Sequence, residues 1–136
     1  MPKASGVLAD ASVWIRFFRA AESREAAHLD GLLQARAVKT CAPVRVEVVS
    51  GARTERERLS LRELFKAIPS LDLPADLWER IEEARFALAR KGIQAALVDL
   101  MIASVAEHEG AALWTLDDDF SPIRSVIPFP RYIPEL

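Results

Sequence analysis

Cysteine is nearly absent from this chain of 136 residues, in which Cys41 is the only one. A single thiol excludes an internal disulfide and a cysteine-rich zinc site, and it favours a reducing compartment. The first ten residues hold no apolar run long enough for a signal peptide or a membrane span. We therefore expect a cytoplasmic protein that makes no contact with a membrane.

The composition also lacks the bias of a disordered or fibrous chain, because 51% of the residues are hydrophobic and 28% are charged. A chain of this length fills one good core and is too short for two ordinary domains. We predict a single domain over residues 1–136. Its core should span about residues 7–125, followed by an extended tail at 126–136 to which we assign no function.

The groups that metal-free catalysis uses are missing as well. The two histidines, His28 and His108, lie in charged helical surroundings and do not form an acid–base pair. The chain has no nucleophile elbow and no glycine-rich loop that would bind phosphate. These absences disfavour a serine hydrolase and a metal-free ribonuclease.

The net charge of −2 differs from the basic character that nucleic-acid-binding proteins usually have. Five carboxylates are candidates for a metal site, and without them the rest of the chain carries +3. Arginines also crowd into one stretch, at Arg45, Arg53, Arg56, Arg58 and Arg62. This distribution is compatible with a phosphate backbone as ligand but is not specific for one.

Short apolar strands alternate with amphipathic helices along the chain. Strands are predicted at residues 6–10, 38–42 and 111–116, and helices at 12–18, 22–36, 54–68, 75–91 and from 95 to about 110. The alternation predicts an α/β fold with a central parallel sheet flanked by helices. Ligands of such sheets bind beyond the carboxyl ends of the strands, which is where Asp10 and Asp117 stand.

Residues 43–51 are ambiguous. Val44, Val46 and Val48 alternate with polar residues as they would in a strand, whereas Pro43 suits the first turn of a helix. The pattern alone favours a strand.

Asp99 is the most informative single residue. Its neighbours three and four positions away in a helix are all apolar: Ala95, Ala96, Ile102 and Ala103. A carboxylate among such neighbours is costly unless it is paired, protonated or bound to a metal. The alternative is that Asp99 caps a helix that starts at Leu100.

The other acidic candidates are weaker when each is taken alone. Asp10 follows a strand and precedes a helix, so it is more often a helix cap than a catalytic group, and Ser12 suits either role. Glu47 by itself fits a solvated face of its element. The run Asp117–Asp119 is typical of a turn, and at most two of its three side chains can converge on one site.

The combination carries more weight than any member. Aspartates at strand ends from both extremes of the chain, with a carboxylate inside an apolar helix, would meet at one edge of one sheet. Crowded carboxylates resist ionisation unless a cation neutralises them. Magnesium and manganese prefer such oxygen ligands, so we expect Mg²⁺ or Mn²⁺ as the cofactor.

Four segments resemble those of a known family. They are residues 7–14, 47–51, 99–103 and 115–120. Each is weak alone, but four in this order at these separations are specific. Over residues 7–123 the chain resembles the PIN-domain ribonucleases, and within them the VapC-type toxins of bacterial and archaeal toxin–antitoxin pairs.

The resemblance implies roles for individual residues. Its acidic positions fall on Asp10, Glu47, Asp99 and Asp117, with Asp119 as a frequent fifth. It implies that Asp10, Asp99 and Asp117 are direct or water-mediated ligands of the metal. Glu47 and Asp119 would orient waters or a second ion, and Ser12 and Thr115 would support them. Asp118 falls where the family varies and is expected to be a surface charge.

The family also places Glu47 on a helix, against the alternating pattern of residues 43–51. We follow the family here, because Pro43 and Gly51 bracket a short helix well.

The resemblance further implies a function and partners. The expected protein is a metal-dependent endoribonuclease that hydrolyses RNA phosphodiesters with a metal-activated water and inhibits translation as the toxin of a type II pair. A homodimer and a complex with a small VapB-type antitoxin, which covers the acidic groove, are also implied. Trp14, Trp78 and Phe86 are candidates for these contacts, with burial in the core as the alternative.

Two other functions stay open at this point. One is a PIN-like module that binds a partner without catalysis, which the intact acidic positions disfavour. The other is a receiver-like domain that accepts phosphate on an aspartate. Such a domain has paired acids after its first strand and a lysine after a late strand, whereas Asp10 stands alone and no lysine follows Lys91.

Overall fold

The computed structural model describes residues 6–136 of the chain. Expectations that concern residues 1–5, such as the absence of a signal peptide, lie outside this range. Within it the strands are β1 (Val7–Ala9), β2 (Val38–Cys41), β3 (Ser70–Leu71) and β4 (Ala112–Trp114). The helices are α1 (Ala11–Arg19), α2 (Arg24–Gln34), α3 (Ala42–Ser50), α4 (Glu55–Lys66), α5 (Leu77–Arg90), α6 (Leu97–Glu109) and α7 (Phe120–Ile123).

The four strands form one parallel sheet in the order β3-β2-β1-β4. Leu8 of β1 is in register with Lys39 of β2, and Ala9 is in register with Trp114 of β4. All three residues of β1 are buried, as expected of a strand covered on both faces. The predicted α/β fold with a parallel sheet is therefore confirmed, and β1 and β4 end side by side.

Local signals in the sequence set the ends of several helices. The hydroxyls of Ser23 and Thr54 accept hydrogen bonds of 3.1 Å from Ala26 N and Glu57 N, and so cap α2 and α4. Gly110 ends α6 in the left-handed conformation, with φ of 67°, which glycine adopts without steric cost. The predicted end of this helix at Gly110 is confirmed.

Residues 42–50 form helix α3, so the strand that the alternating valines favour is wrong and the helix implied by the family is confirmed. Pro43 lies in the first turn, where its missing N–H costs no hydrogen bond. Val44 and Val48, four residues apart, are buried, whereas Val46 is exposed. The spacing of these valines is therefore compatible with the buried face of a helix as well as with a strand.

Two short elements were not predicted. Strand β3 has two residues, too few for a periodic pattern, and it extends the sheet by pairing Cys41 with Leu71. Helix α7 has four residues and follows the aspartate run directly. Neither length gives a sequence signal that periodicity can detect.

The three aromatic residues that could serve either in partner contacts or in the core differ in their burial. Trp14 is fully buried and packs edge-on against Phe65, with ring centroids 5.0 Å apart. Trp78 and Phe86 of α5 are exposed by 54% and 65%. Core packing therefore explains Trp14 but not the other two. Within residues 6–136 no helix combines the length and apolar character that crossing a bilayer requires.

The C-terminal segment is extended, as predicted, but it is not an appendage. Ile127 and Phe129 are buried in the main core. Leu113 N of β4 donates to Pro130 O at 2.8 Å, and Tyr132 N donates to Leu113 O at 2.9 Å. The Tyr132 hydroxyl lies 2.6 Å from His28 Nε2 on α2. The prolines of this segment favour the prediction of a free tail, although the segment pairs with the sheet and contributes to the core.

We predict that Phe129→Ala lowers the free energy of unfolding by about 3 kcal/mol, because it empties a buried aromatic site. Chemical denaturation at equilibrium measures this change. Ile133→Ala is the matched control, since Ile133 lies in the same segment and is 73% exposed. An equal, small effect of both substitutions would show that the segment is dispensable to the core.

Candidate metal centre and active site

Asp10 stands at the carboxyl end of the central strand. Its backbone N–H donates to Trp114 O at 2.9 Å, which continues the pairing of β1 with β4 by one residue. Asp10 occupies the residue before α1, but its side chain makes no hydrogen bond to that helix. Asp10 is thus the N-cap residue of α1 by position, but its carboxylate does not cap the helix and is directed elsewhere.

The Asp10 carboxylate accepts two hydroxyls on one oxygen. Ser12 Oγ and Thr115 Oγ1 each lie 2.8 Å from Asp10 Oδ2 and donate to it. The Asp10 side chain is buried, so both hydrogen bonds are shielded from competing water. Neither hydroxyl bonds to the other carboxylate oxygen, Asp10 Oδ1. Ser12 and Thr115 thus orient Asp10, and their role as supports of a metal site stays a prediction.

The same two hydroxyls also hold the loop after β4. Ser12 Oγ accepts from Leu116 N at 2.9 Å, and Thr115 Oγ1 accepts from Asp117 N at 3.0 Å. Asp119 N then donates to Asp117 Oδ1 at 2.9 Å. Each hydroxyl therefore donates to the strand-end carboxylate and accepts from the aspartate loop. This network sets the position of Asp117 relative to Asp10.

Asp99 enters the site from the first turn of α6. The helix begins at Leu97, with Ala96 before it, so the alternative that Asp99 caps a helix from Leu100 is wrong. Burial is the largest of the causes that together raise the pKa of the Asp99 carboxyl to about 6. The other causes are repulsion from the carboxylates of Asp10, Asp117, Glu47 and Asp119, in that order. A charged Asp99 is therefore unfavourable in the absence of a neutralising cation.

Three carboxylates come close enough to share one ion. Asp99, Asp117 and Asp119 each offer an oxygen, and these oxygens all lie within 4.8 Å of one another. Asp99 is half-buried and the other two are exposed, so one side of the cluster faces solvent. Small separations between like charges and access to water are both properties of a cation site.

Glu47 lies at the margin of this cluster. It is exposed on α3, which packs against α1 and α6. Partial burial of the carboxyl raises its pKa above the ordinary 4.5, and the charges of Asp10 and Asp117 add to the effect. Its carboxylate therefore shares the electrostatic field of the site.

Asp118 and Cys41 contribute nothing to the cluster. Asp118 is exposed and lies outside the group of three, in agreement with its expected role as a surface charge. Burial raises the pKa of the Cys41 thiol to about 11, and Asp10 and Glu47 raise it as well. A thiol with this pKa stays protonated and is neither a nucleophile nor a metal ligand.

The donor set fits a hard divalent cation. All three close groups are carboxylates, without the thiolate or imidazole that would favour zinc or copper. Mg²⁺ accepts one or two carboxylates and keeps several waters, which the solvent-facing side permits. A bound cation would also remove the electrostatic cost that the raised pKa of Asp99 reports.

The close group and the predicted ligand set overlap without being identical, and the ligand set stays a prediction. Asp119, expected to orient waters or a second ion, lies in the close group together with Asp99 and Asp117. Asp10, expected as a direct or water-mediated ligand, lies outside this group and accepts hydrogen bonds from two hydroxyls. The two-residue spacing of Asp117 and Asp119 in a tight turn was the available signal, since it lets both side chains face the same way.

The fold and the site define an α/β protein with an acidic cluster at the carboxyl edge of a parallel sheet. A sequence profile of the PIN domain matches residues 7–125, which is most of the chain. The chain therefore belongs to the PIN-domain family. This assignment confirms the resemblance stated above and removes the receiver-like alternative.

The curated relatives of the chain are VapC ribonucleases. Ribonuclease VapC11 of Mycobacterium tuberculosis is 29% identical over 124 residues, which span 88% of this chain and 92% of that protein. Ribonuclease VapC6 of the same organism is 32% identical over 96 residues, covering 68% of this chain and 76% of that one.

Solved structures of toxin–antitoxin complexes share the fold. A chain of VapBC2 from Rickettsia felis, bound to a promoter DNA fragment, superposes with a TM-score of 0.71 at 21% identity, covering 92% of this chain and 95% of that one. VapBC-5 from Mycobacterium tuberculosis gives a TM-score of 0.64 at 26% identity, with 96% and 100% coverage.

We predict that Asp99→Asn stabilises the metal-free protein at neutral pH. Asp99 has a higher pKa in the folded chain, about 6, than the ordinary value of 3.8, so the folded state holds the proton more tightly. Ionisation of Asp99 therefore lowers stability as pH rises from about 4 to about 6, and the loss persists above that. Asparagine removes it, which is worth about 1 kcal/mol for a half-exposed group.

Thermal unfolding in EDTA and in Mg²⁺ measures both parts of this prediction. In EDTA the variant should unfold at a higher temperature than the unmutated chain at neutral pH, with a smaller difference near pH 4. Mg²⁺ should stabilise the unmutated chain and the control Asp118→Asn, but not Asp99→Asn. Equal stabilisation of all three by Mg²⁺ would place the ion elsewhere.

Proposed function

We propose that the chain is a Mg²⁺- or Mn²⁺-dependent endoribonuclease and acts as the toxin of a type II toxin–antitoxin pair, hydrolysing RNA phosphodiesters and inhibiting translation. The single observation that carries this proposal is the group of three carboxylate oxygens within 4.8 Å. Membership of the PIN-domain family and the VapC ribonuclease relatives support it. The reducing cytoplasm remains the expected compartment.

The residues of the site have distinct proposed roles. Asp99, Asp117 and Asp119 hold the cation, with Asp10 nearby through its free Oδ1. Ser12 and Thr115 keep Asp10 in one orientation, because both donate to its Oδ2. Glu47 lies at the margin of the cluster and orients water at the exposed side.

When bound, the cation supplies Lewis-acid chemistry: it activates a water for attack on phosphorus and offsets the charge that develops on the phosphoryl oxygens. The protein contributes fixed geometry. The loop from Thr115 to Asp119 is held by backbone N–H groups, so its carboxylates need little reorganisation when RNA binds. A general base from histidine is not needed at this site.

We predict that the purified protein, free of antitoxin, cuts total RNA into discrete fragments when Mg²⁺ or Mn²⁺ is present. EDTA should abolish cleavage. Asp99→Asn should lower the rate at least about 100-fold, since it removes a charged ligand of the cation. Gel analysis of the products over time measures the rates and identifies the RNA that is cut.

Asp118→Asn is the matched control for this experiment. It removes the same charge from the same acidic loop, but from a residue outside the close group, and it should keep the rate within about twofold. If the metal binds and no RNA is cut under any condition, the chain is a non-catalytic binding module and the nuclease proposal is wrong.

An antitoxin partner is supported by the solved relatives, which are VapBC and FitAB complexes. A groove of about 400 Å³ begins at Glu47 and runs between α1, α3 and α4. Ile15 and Phe18 line it and are exposed by 41% and 43%, while Arg19 and Arg53 supply charge at its rim. We propose that a small VapB-type antitoxin fills this groove and covers the acidic edge.

We predict that the pair Ile15→Ser and Phe18→Ser raises the antitoxin concentration needed for half-inhibition of RNA cleavage at least about tenfold, because apolar anchors dominate such interfaces. Titration of the co-encoded antitoxin into the cleavage reaction measures it. Leu73→Ser, at an exposed apolar residue outside the groove, should leave the inhibition unchanged. Equal inhibition of all variants would place the antitoxin on another surface.

A homodimer is also proposed. Trp78 and Phe86 are exposed apolar residues on α5, and Leu97 is an exposed apolar residue at the start of α6. Phe86 lines a cleft of about 660 Å³ with Ile93 and Ala96. Apolar area of this kind on two neighbouring helices is typical of a subunit interface.

A further inference from the structure

A second cleft, far more basic than the acidic edge, lies between α3, α4 and the strands β2 and β3. Its volume is about 440 Å³. Arg45, Arg62 and Lys66 line it together with the hydroxyl residues Thr40 and Ser70, over an apolar floor of Phe65 and Ile68. No acidic residue is among the described residues that line it. We call it the basic cleft.

The cations of the basic cleft are only partly neutralised. Lys66 forms an ion pair of 2.7 Å with Glu63, on the exposed face of α4. Arg62 forms no ion pair with Glu55 or Glu63. The hydrogen bonds from Arg58 to Glu55 and from Lys66 to Glu63 are the main causes that lower the pKa of the two glutamates, and the charge of Arg62 has a smaller effect on both. Within residues 6–136 Arg45 forms neither an ion pair nor a hydrogen bond. Two guanidinium groups therefore face one cleft without a carboxylate partner there.

The wall of the basic cleft contains an unsatisfied polar group. Thr40 is 1% exposed, and its hydroxyl has no hydrogen-bond partner among the described residues. Because this oxygen is enclosed by the protein, it is not itself a contact for a ligand in the open cleft. The arginines supply that contact, since arginine forks bind phosphate with two parallel hydrogen bonds.

The position of the basic cleft relates it to the acidic edge. Thr40 lies on β2, the neighbour of β1, and β3 lies one strand further. The cleft is therefore one to two strand spacings, about 5–10 Å, from the strand that ends in Asp10. Arg45 and Glu47 are two residues apart on α3, so they point to nearly opposite sides of that helix.

We propose that the basic cleft binds a backbone phosphate of the RNA substrate, a short distance along the strand from the phosphodiester that is cut. The inference rests on the proposed ribonuclease function and adds a binding subsite to it. Arg45 and Arg62 contact the phosphate. Single-stranded RNA fits the arrangement because charged grooves that follow the backbone do not require base pairing.

The test uses the Asp99→Asn chain in metal-free buffer, which separates binding from cleavage. A fluorescent single-stranded RNA of about 12 nucleotides serves as the probe. Adding Arg45→Gln and Arg62→Gln should weaken binding about tenfold and reduce the salt dependence of binding by about 0.7–1.4 in slope, the value for one to two phosphate contacts. Anisotropy titrations at several salt concentrations measure both.

The matched control removes two charges elsewhere, with Arg24→Gln and Arg36→Gln, and should change the affinity less than about twofold. Arg24 and Arg36 are exposed and line neither the basic cleft nor the acidic edge. Thermal unfolding of all variants confirms that they are folded. Equal loss of RNA affinity in both double variants, or no loss in either, overturns the proposal.

Two further probes test the identity of the anion. Inorganic phosphate should compete with the RNA probe less strongly in the Arg45→Gln and Arg62→Gln variant. If phosphate or a polyglutamate peptide binds through the two arginines while RNA affinity is unchanged, the assignment to RNA is wrong. Failure of RNA cleavage by the unmutated chain would count against the proposed function, whereas these outcomes count against the basic cleft alone.

Discussion

The acidic edge depends on one buried carboxylate oxygen, Asp10 Oδ2, which accepts hydroxyls from both ends of the chain. Ser12 is two residues away and Thr115 is 105 residues away. Because both hydroxyls also accept backbone N–H groups of the loop after β4, strand β1, helix α1 and the aspartate loop are fixed relative to one another. A small shift of Asp10 would therefore move carboxylates that it does not touch.

The site carries an electrostatic cost that the fold tolerates. Burial of Asp99 in the first turn of α6 outweighs the favourable helix dipole at that position, and neighbouring carboxylates add to the repulsion. Such strain is typical of functional sites, where stability is lost so that a ligand gains affinity. The rest of the domain compensates with a continuous core from β1 to the C-terminal segment.

The sequence predicted the class of the fold and the position of the site because their signals are strong. Asp99 among apolar helical neighbours and Asp10 at a strand end identify the edge of the sheet without coordinates. For residues 43–51 the alternating pattern led to the wrong prediction, because valines spaced by two and by four are compatible with a strand and with a helix alike. The closeness of Asp119 to Asp99 depends on the conformation of the turn after β4, which the periodicity of the sequence does not predict.

The C-terminal segment has a consequence for how the sheet meets other chains. Strand β4 would be an open edge with unpaired backbone groups, but Leu113 bonds to Pro130 and Tyr132 on that side. At the other end of the sheet the edge strand β3 has only two residues. The β4 edge is thereby paired, and the β3 edge is too short to be a long template for strand addition, which protects a sheet from aggregation. During synthesis the β4 edge remains unpaired until residues 130–132 emerge from the ribosome, so a chain truncated before them would expose the edge of β4 beside its acidic loop.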